Sequence, residues 1–270
     1  MARDPFPRLG LGTYSDDHRE QWRENVRTAL DVGFRHVDTA QVYENETYVG
    51  QGLRDSDVDR EDVFLATKTV HHDVPESAAD VPEAIDGCLD RLGVDAVDLL
   101  YVHWPSGIYD HDTVLPAYDA AYETGKTRHV GLSNFSTELL DEAMDVLDAP
   151  LFAHQAEMHP LLPQEELVAH AQEHDYWFVA YAPLGQGEVF DEPEIQEVAE
   201  KHDATPAQVS LAWILSHDNV AAIPKASSRE HMAQNLAAQD LELDDEDVDL
   251  IDSIDRRHRN IDSDWGPWNW

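Results

Sequence analysis

Short apolar runs recur eight times along this chain of 270 residues, with amphipathic segments between them. The runs are 9–12, 35–38, 63–67, 97–102, 128–132, 152–155, 177–181 and 220–223. Runs this short suit strands buried on both faces. Segment 19–32 places Trp22, Val26, Ala29 and Leu30 on one side of a helix, and 77–92 does the same with Val81, Ala84, Ile85, Cys88 and Leu92. Segments 136–147, 164–174 and 193–202 follow with helical spacing. Strand–helix alternation of this regularity predicts a parallel sheet. Eight such units in one chain of this length predict closure, giving an α/β fold of the (β/α)8 TIM-barrel kind. Two segments fall outside the eightfold pattern. Segment 205–216 reads as a second helix before the last strand. Segment 241–254 carries Val248, Ile251 and Ile254 at helical spacing with acidic residues between them, which predicts an additional C-terminal helix docked by its apolar face. With no linker or low-complexity stretch, residues 1–270 read as a single barrel domain.

Charge narrows the partners. Asp and Glu number 56 against 18 Lys and Arg, a formal net charge of −38. A nucleic-acid binder needs a cationic stripe and an anionic membrane needs a basic one, so neither partner is expected. A small-molecule substrate is the expected partner, with the chain a monomer or small homo-oligomer. Self-repulsion at this charge opposes compactness in dilute buffer and is screened in molar salt, so the acidic, lysine-poor composition predicts a high-salt, halophilic setting. The single cysteine, Cys88, rules out a disulfide within the chain and sits among apolar residues as a core thiol. The opening residues lack the apolar stretch of a signal peptide, and no apolar run approaches 18 residues. A cytoplasmic location is expected.

Active residues of such a barrel come from the C-terminal ends of its strands. Reading the first polar residues after each run gives Thr13 and Tyr14, Asp38 with Tyr43 five positions on, Lys68, His103 followed by Trp104, Ser133 and Asn134, Gln155, Tyr181, and Lys225. Asp38, Tyr43, Lys68 and His103 have a joint chemical use. A tyrosine with its ordinary pKa near 10 is a poor proton donor at neutral pH. A nearby ammonium is expected to lower that pKa, a carboxylate to keep the ammonium charged, and a histidine to hydrogen-bond a carbonyl oxygen. This is an acid–base and oxyanion-stabilising site for carbonyl reduction.

Several segments carry a family resemblance: PRLGLGTY at 7–14, GFRHVDTAQVYENETYVG at 33–50, LATK at 65–68, YVHWP at 101–105, GLSNF at 131–135, HQAEMHP at 154–160, AYAPLGQG at 180–187 and IPKASSREHMAQN at 223–235. Together, and in this order, they strongly resemble the aldo-keto reductases. The resemblance implies an NAD(P)H-dependent enzyme that reduces aldehydes or ketones reversibly, with Tyr43 as general acid, Lys68 and Asp38 tuning it, and His103 orienting the carbonyl. No complete G-x-G-x-x-G is present, consistent with a cofactor held without a Rossmann domain. The resemblance assigns Ser133, Asn134 and Gln155 to the nicotinamide carboxamide and Tyr181 to a stack on its ring. It assigns the turn of Pro183, Leu184, Gly185, Gln186 and Gly187 to the pyrophosphate through backbone N–H groups, and Gly12, Thr13, Tyr14 and Asp38 to the cofactor's surroundings.

At the adenosine end the resemblance points to Lys225, Ser227, Ser228, Arg229 and Asn235. NADPH-preferring members typically have Ser directly after the Lys and Arg six residues after it. This chain has Ala226 and His231 there, with Arg229 as a substitute, so NADPH is favoured and NADH or dual use stays open. The substrate pocket is assigned to Tyr14, Tyr43, His103, Trp104 and Trp265, the last in a tail that also carries Trp268 and Trp270. The loop from Pro105 to His111 is short, which implies small or medium carbonyl compounds. No metal site is expected: H-E-x-x-H and zinc-type Cys/His spacing are lacking, and His71, His72 and Asp73 read as a loop face. Two rivals remain: a non-enzymatic NADP(H)-binding redox-sensing regulator on the same barrel, and a lyase or isomerase with Lys68 as a Schiff-base nucleophile.

Overall fold

A computed structural model describes residues 6–15, 17–72 and 74–269. Eight parallel strands lie in sequence order: β1 Leu11–Gly12, β2 His36–Asp38, β3 Phe64–Thr69, β4 Val97–Val102, β5 Thr127–Ser133, β6 Leu151–Glu157, β7 Trp177–Tyr181 and β8 Val220–Ala222. The barrel closes where β8 meets the start of the chain. Leu9 bridges Ala222, and the Gly10 and Gly12 N–H groups donate to Ala222 O at 2.8 Å and Pro224 O at 3.1 Å. The expected (β/α)8 architecture is therefore observed.

The strands alternate their side chains between two environments. Val37, Leu65, Leu100, Val130, Phe178 and Val220 face outward into the layer shared with the helices. Ala66, Leu99, Tyr101, Ala153, Val179 and Ala221 pack together in the barrel interior. Phe6 closes the N-terminal end, against Phe64, Phe152 and Trp177 at ring-centroid separations of 4.8–5.5 Å. The same inward register carries Asp38, Lys68 and Gln155 to the C-terminal end. One more residue in any of these strands would turn the polar group outward.

The helices are α1 Trp22–Val32, α2 Glu46–Arg54, α3 Val81–Leu92, α4 His111–Glu123, α5 Thr137–Val146, α6 Glu165–Glu173, α7 Pro193–Lys201, α8 Pro206–Ser216, α9 Arg229–Ala237 and α10 Asp245–Asp252. Helix α10 is the expected C-terminal helix, shorter than 241–254 because Asp244 caps its start through the Asp247 N–H at 3.0 Å. Helices α2, α4 and α9 were not expected from periodicity. In α2 the reason is close packing: a Cβ at Gly50 would stand 2.0 Å from Leu92 O, so the interface with α3 requires glycine despite its poor helix propensity. Among the described residues no helix is long and apolar enough to cross a membrane.

Candidate active site

Asp38 ends β2 and Lys68 lies near the end of β3; both side chains are buried. Lys68 Nζ contacts Asp38 Oδ1 and donates to Thr39 O at 2.9 Å. The other Asp38 oxygen accepts from Gln155 Nε2 at 2.9 Å. Lys68 Nζ is buried and tied to a carboxylate and a carbonyl, which weighs against the Schiff-base rival. Half-buried Tyr43 closes a 3-10 turn after β2, with its ring centroid 5.2 Å from Lys68 Nζ. Its ring stands 5.7 Å from that of His103, edge to face, and Tyr14 packs on it at 5.2 Å from the solvent side. Asn45 fixes the turn: Thr39 Oγ1 donates to Asn45 Oδ1, and Asn45 Nδ2 donates to Thr13 O, both at 2.8 Å.

Burial dominates the electrostatics. It lowers the Lys68 ammonium's pKa, with Asp38 opposing the shift. Burial, then Lys68 and His71, hold His103 well below its ordinary value, so the imidazole is neutral at neutral pH. Tyr43 departs from the sequence expectation. Its pKa lies well above 10, raised by burial and then by Asp38. The carboxylate in contact with Lys68 offsets the ammonium's field at the phenol, so the resting tyrosine keeps its proton.

The residues assigned to the nicotinamide lie together at the ends of β5, β6 and β7. Asn134, at φ 66°, donates from Nδ2 to His103 O and Ser133 Oγ, both at 3.0 Å, and accepts from the Tyr181 hydroxyl at 2.8 Å. Next to them lies the glycine turn, residues 183–187. The Gly185 and Gly187 N–H groups already donate to Ala182 O and Leu184 O at 2.8 Å, closing the turn on itself. These two donors shape the loop itself.

The wider rim fits a dinucleotide. The Thr13 hydroxyl is buried without a partner, and a Cβ at Gly12 would stand 2.5 Å from Ile223 O, so the backbone there runs unusually close. Lys225, Ser227, Ser228 and Arg229 are exposed after β8, and Asn235 is buried on α9. Neither Lys225 nor Arg229 forms an ion pair among the described residues, although carboxylates abound. Ser228 caps α9 by accepting from the His231 N–H at 3.2 Å, so its oxygen already has a structural task.

The C-terminal tail returns over the rim. Glu157, at the end of β6, accepts from Asn260 N at 2.6 Å, Asn260 Nδ2 at 2.9 Å and Ile261 N at 2.8 Å, and pairs with His159 at 3.0 Å. Burial pushes its pKa up, but these hydrogen bonds outweigh burial and hold it below the ordinary carboxylate range. The anchored tail sets Trp265 4.5 Å from Trp104 and 4.9 Å from His72, centroid to centroid. His71 touches both Trp265 and His103, at 5.3 Å each, and so joins the pocket wall to the site. Asp73 and Trp270 lie outside the described residues. Sequence reasoning missed Asn45, Glu157 and Asn260, and read His71 and His72 as a loop face where they pack against Trp265. Glu157 lies beyond the apolar run 152–155, two residues past Gln155, so no apolar signal marked it.

The order of strands, the buried Asp38–Lys68 pair and the adjoining tyrosine agree with the family comparison. The model of the aldo/keto reductase family matches residues 8–256. The chain belongs to the aldo/keto reductase family. It is 34% identical over 254 residues to the glyoxal reductase of Bacillus subtilis (strain 168), covering 94% of this chain and 91% of that protein. It is 35% identical over 264 residues to the methylglyoxal reductase DkgB of Escherichia coli O157:H7, covering 95% and 96%. Among solved structures, a putative 2,5-diketo-D-gluconic acid reductase B superposes with a TM-score of 0.91 at 32% identity, covering 96% of this chain and 92% of that one. This aldo/keto reductase is therefore an oxidoreductase of a family that typically binds NAD(P)H.

Proposed function

We propose that this aldo/keto reductase reduces small and medium aldehydes and ketones, reversibly, with NADPH as its preferred reductant. The observation that carries the reading is the buried Asp38–Lys68 pair beside protonated Tyr43, with neutral His103 across from it. A bound reduced nicotinamide supplies the hydride. Tyr43 gives its phenolic proton to the carbonyl oxygen as negative charge develops there, and an alkoxide is basic enough to take it. The Lys68 charge then stabilises the phenolate left behind. His103, uncharged, hydrogen-bonds the carbonyl and fixes its direction. The reverse oxidation of an alcohol uses the same groups with the proton moving back.

Ser133, Asn134 and Gln155 would exchange some of their present hydrogen bonds for the carboxamide, and Tyr181 would present its ring to the nicotinamide. The turn around Pro183, Leu184, Gly185 and Gln186 would meet the pyrophosphate. Lys225, Ser227 and Arg229 would meet a 2′-phosphate, and Asn235 the adenine. For substrate size, the support is the short loop between Trp104 and α4, which starts at His111, together with the names of the glyoxal- and methylglyoxal-reducing relatives. Tyr14, Trp104 and Trp265 would wall the pocket. The whole chain acts as one barrel domain in a salty cytoplasm, the setting that a net charge of −38 favours.

The test is NADPH oxidation in roughly molar KCl over α-keto aldehydes, simple aldehydes, keto acids, sugars and a steroid ketone. Turnover is expected to be highest on the small α-keto aldehydes and lowest on the steroid. Absence of turnover on every carbonyl would refute the assignment. Arg229→Ala should weaken NADPH binding and spare NADH; equal loss for both would remove Arg229 from the 2′-phosphate.

A further inference from the structure

Outside the barrel rim, a cluster of metal-ligating side chains lies on the outer helical layer. His170 on α6, His174 at the end of that helix and Asp141 on α5 bring one ligand atom each to within 4.8 Å of one another. His170 and His174 are four residues apart, so they share a helix face. Their rings lie nearly parallel, 4.3 Å apart with 23° between planes. Asp141 Oδ1 is 3.1 Å from His170 Nε2 and 4.0 Å from His174 Nε2.

We infer that these three residues form a site for a first-row divalent transition metal, zinc being the simplest occupant. Ligands about 2.0–2.2 Å from a tetrahedral ion lie roughly 3.4 Å from each other, a spacing the two measured distances bracket. Imidazole and carboxylate donors suit such an ion better than magnesium or calcium, which take oxygen ligands. A separate observation points the same way. His170 Nδ1 lies 2.7 Å from the hydroxyl of buried Tyr176. When Nδ1–H donates there, the Nε2 lone pair is left facing Asp141 Oδ1, 3.1 Å away, and such an outer hydrogen bond is one that metal-bound histidines commonly show. The site also sits at the C-terminal end of α6, where the helix dipole favours a cation. Three protein ligands leave the remaining coordination to water. The ion ties α5 to the end of α6 on the outer layer, and its role is structural.

The probe is zinc ion, titrated into the full chain against a chromophoric competitor, in molar salt with excess magnesium to fill oxygen-only surface sites. Cobalt(II) absorption reports the coordination geometry. Wild type should bind one zinc ion with imidazole ligation and melt at higher temperature when loaded. His174→Gln and Asp141→Asn should each weaken binding by at least about 10-fold, and Tyr176→Phe by about 10–100-fold. The apo variants' melting temperatures separate ligand loss from misfolding. Zinc affinity unchanged in the His174→Gln/Asp141→Asn double variant, provided it still melts cooperatively, would overturn the site. So would a cobalt spectrum showing oxygen ligands only.

Discussion

Lys68 and Asp38 cannot be changed singly without leaving a charge in a space built for two. Both side chains are buried, and Gln155 and Thr39 satisfy what the pair itself does not. Lys68→Met is expected to cost about 3–5 kcal/mol of stability, because the Asp38 carboxylate is left buried without its counter-charge. The double variant Lys68→Met/Asp38→Asn should recover much of that loss while staying inactive. Urea unfolding of wild type and both variants checks this, and a double variant no more stable than Lys68→Met would show that the pair is not the source. At this scale the identities of the catalytic candidates were legible, because rare polar residues end apolar strands and the surrounding segments resemble one family. The protonation of Tyr43 was not legible. Its direction depends on how completely Asp38 offsets Lys68 and on the depth of the phenol, both of which are facts of packing.

Strands were readable as elements because residues buried on both faces make apolar runs. The polar tip of β6 was not, since Glu157 reads as loop until its tail partners are known. Helices α2 and α9 were hidden for related reasons. Helix α2 carries two glycines that packing demands, and the exposed face of α9 has little apolar periodicity. The cluster of His170, His174 and Asp141 was half visible, since the histidine spacing is in the sequence and the aspartate comes from another helix. Glu157 makes a clear prediction for the tail. Glu157→Gln replaces an acceptor with an amide donor facing the Asn260 and Ile261 N–H groups. It should cost about 1–3 kcal/mol and release the segment carrying Trp265. Limited proteolysis of that segment and Trp fluorescence measure it; an unchanged cleavage rate would show that the tail is held elsewhere.

The molecule as a whole carries buried histidines that must stay neutral. Burial lowers His36 to about 4 and His154 to about 3. In the unfolded chain both titrate near 6.5. Between these values the unfolded state binds more protons than the folded one, so stability falls as pH falls from about 6.5 toward 4. The slope approaches roughly 1.4 kcal/mol per pH unit for each histidine. Glu157 and Asp247, whose folded pKa values are lowered, add further loss at the acidic end, as protonation removes their hydrogen bonds. Urea midpoints between pH 7 and 4, taken in molar KCl, should fall steadily and fall less steeply in His154→Gln. A midpoint independent of pH would contradict the shifts.

The ends of β2, β3 and β6 hold a buried ion pair beside one phenol, and Tyr43 is the group proposed to deliver the proton. The most direct measurement compares Tyr43→Phe with wild type in single-turnover carbonyl reduction and in NADPH binding. The dissociation constant for NADPH should change by less than about threefold, and the reduction rate should fall by about 10²–10⁴. A variant that reduces the carbonyl at the wild-type rate would contradict this role for Tyr43.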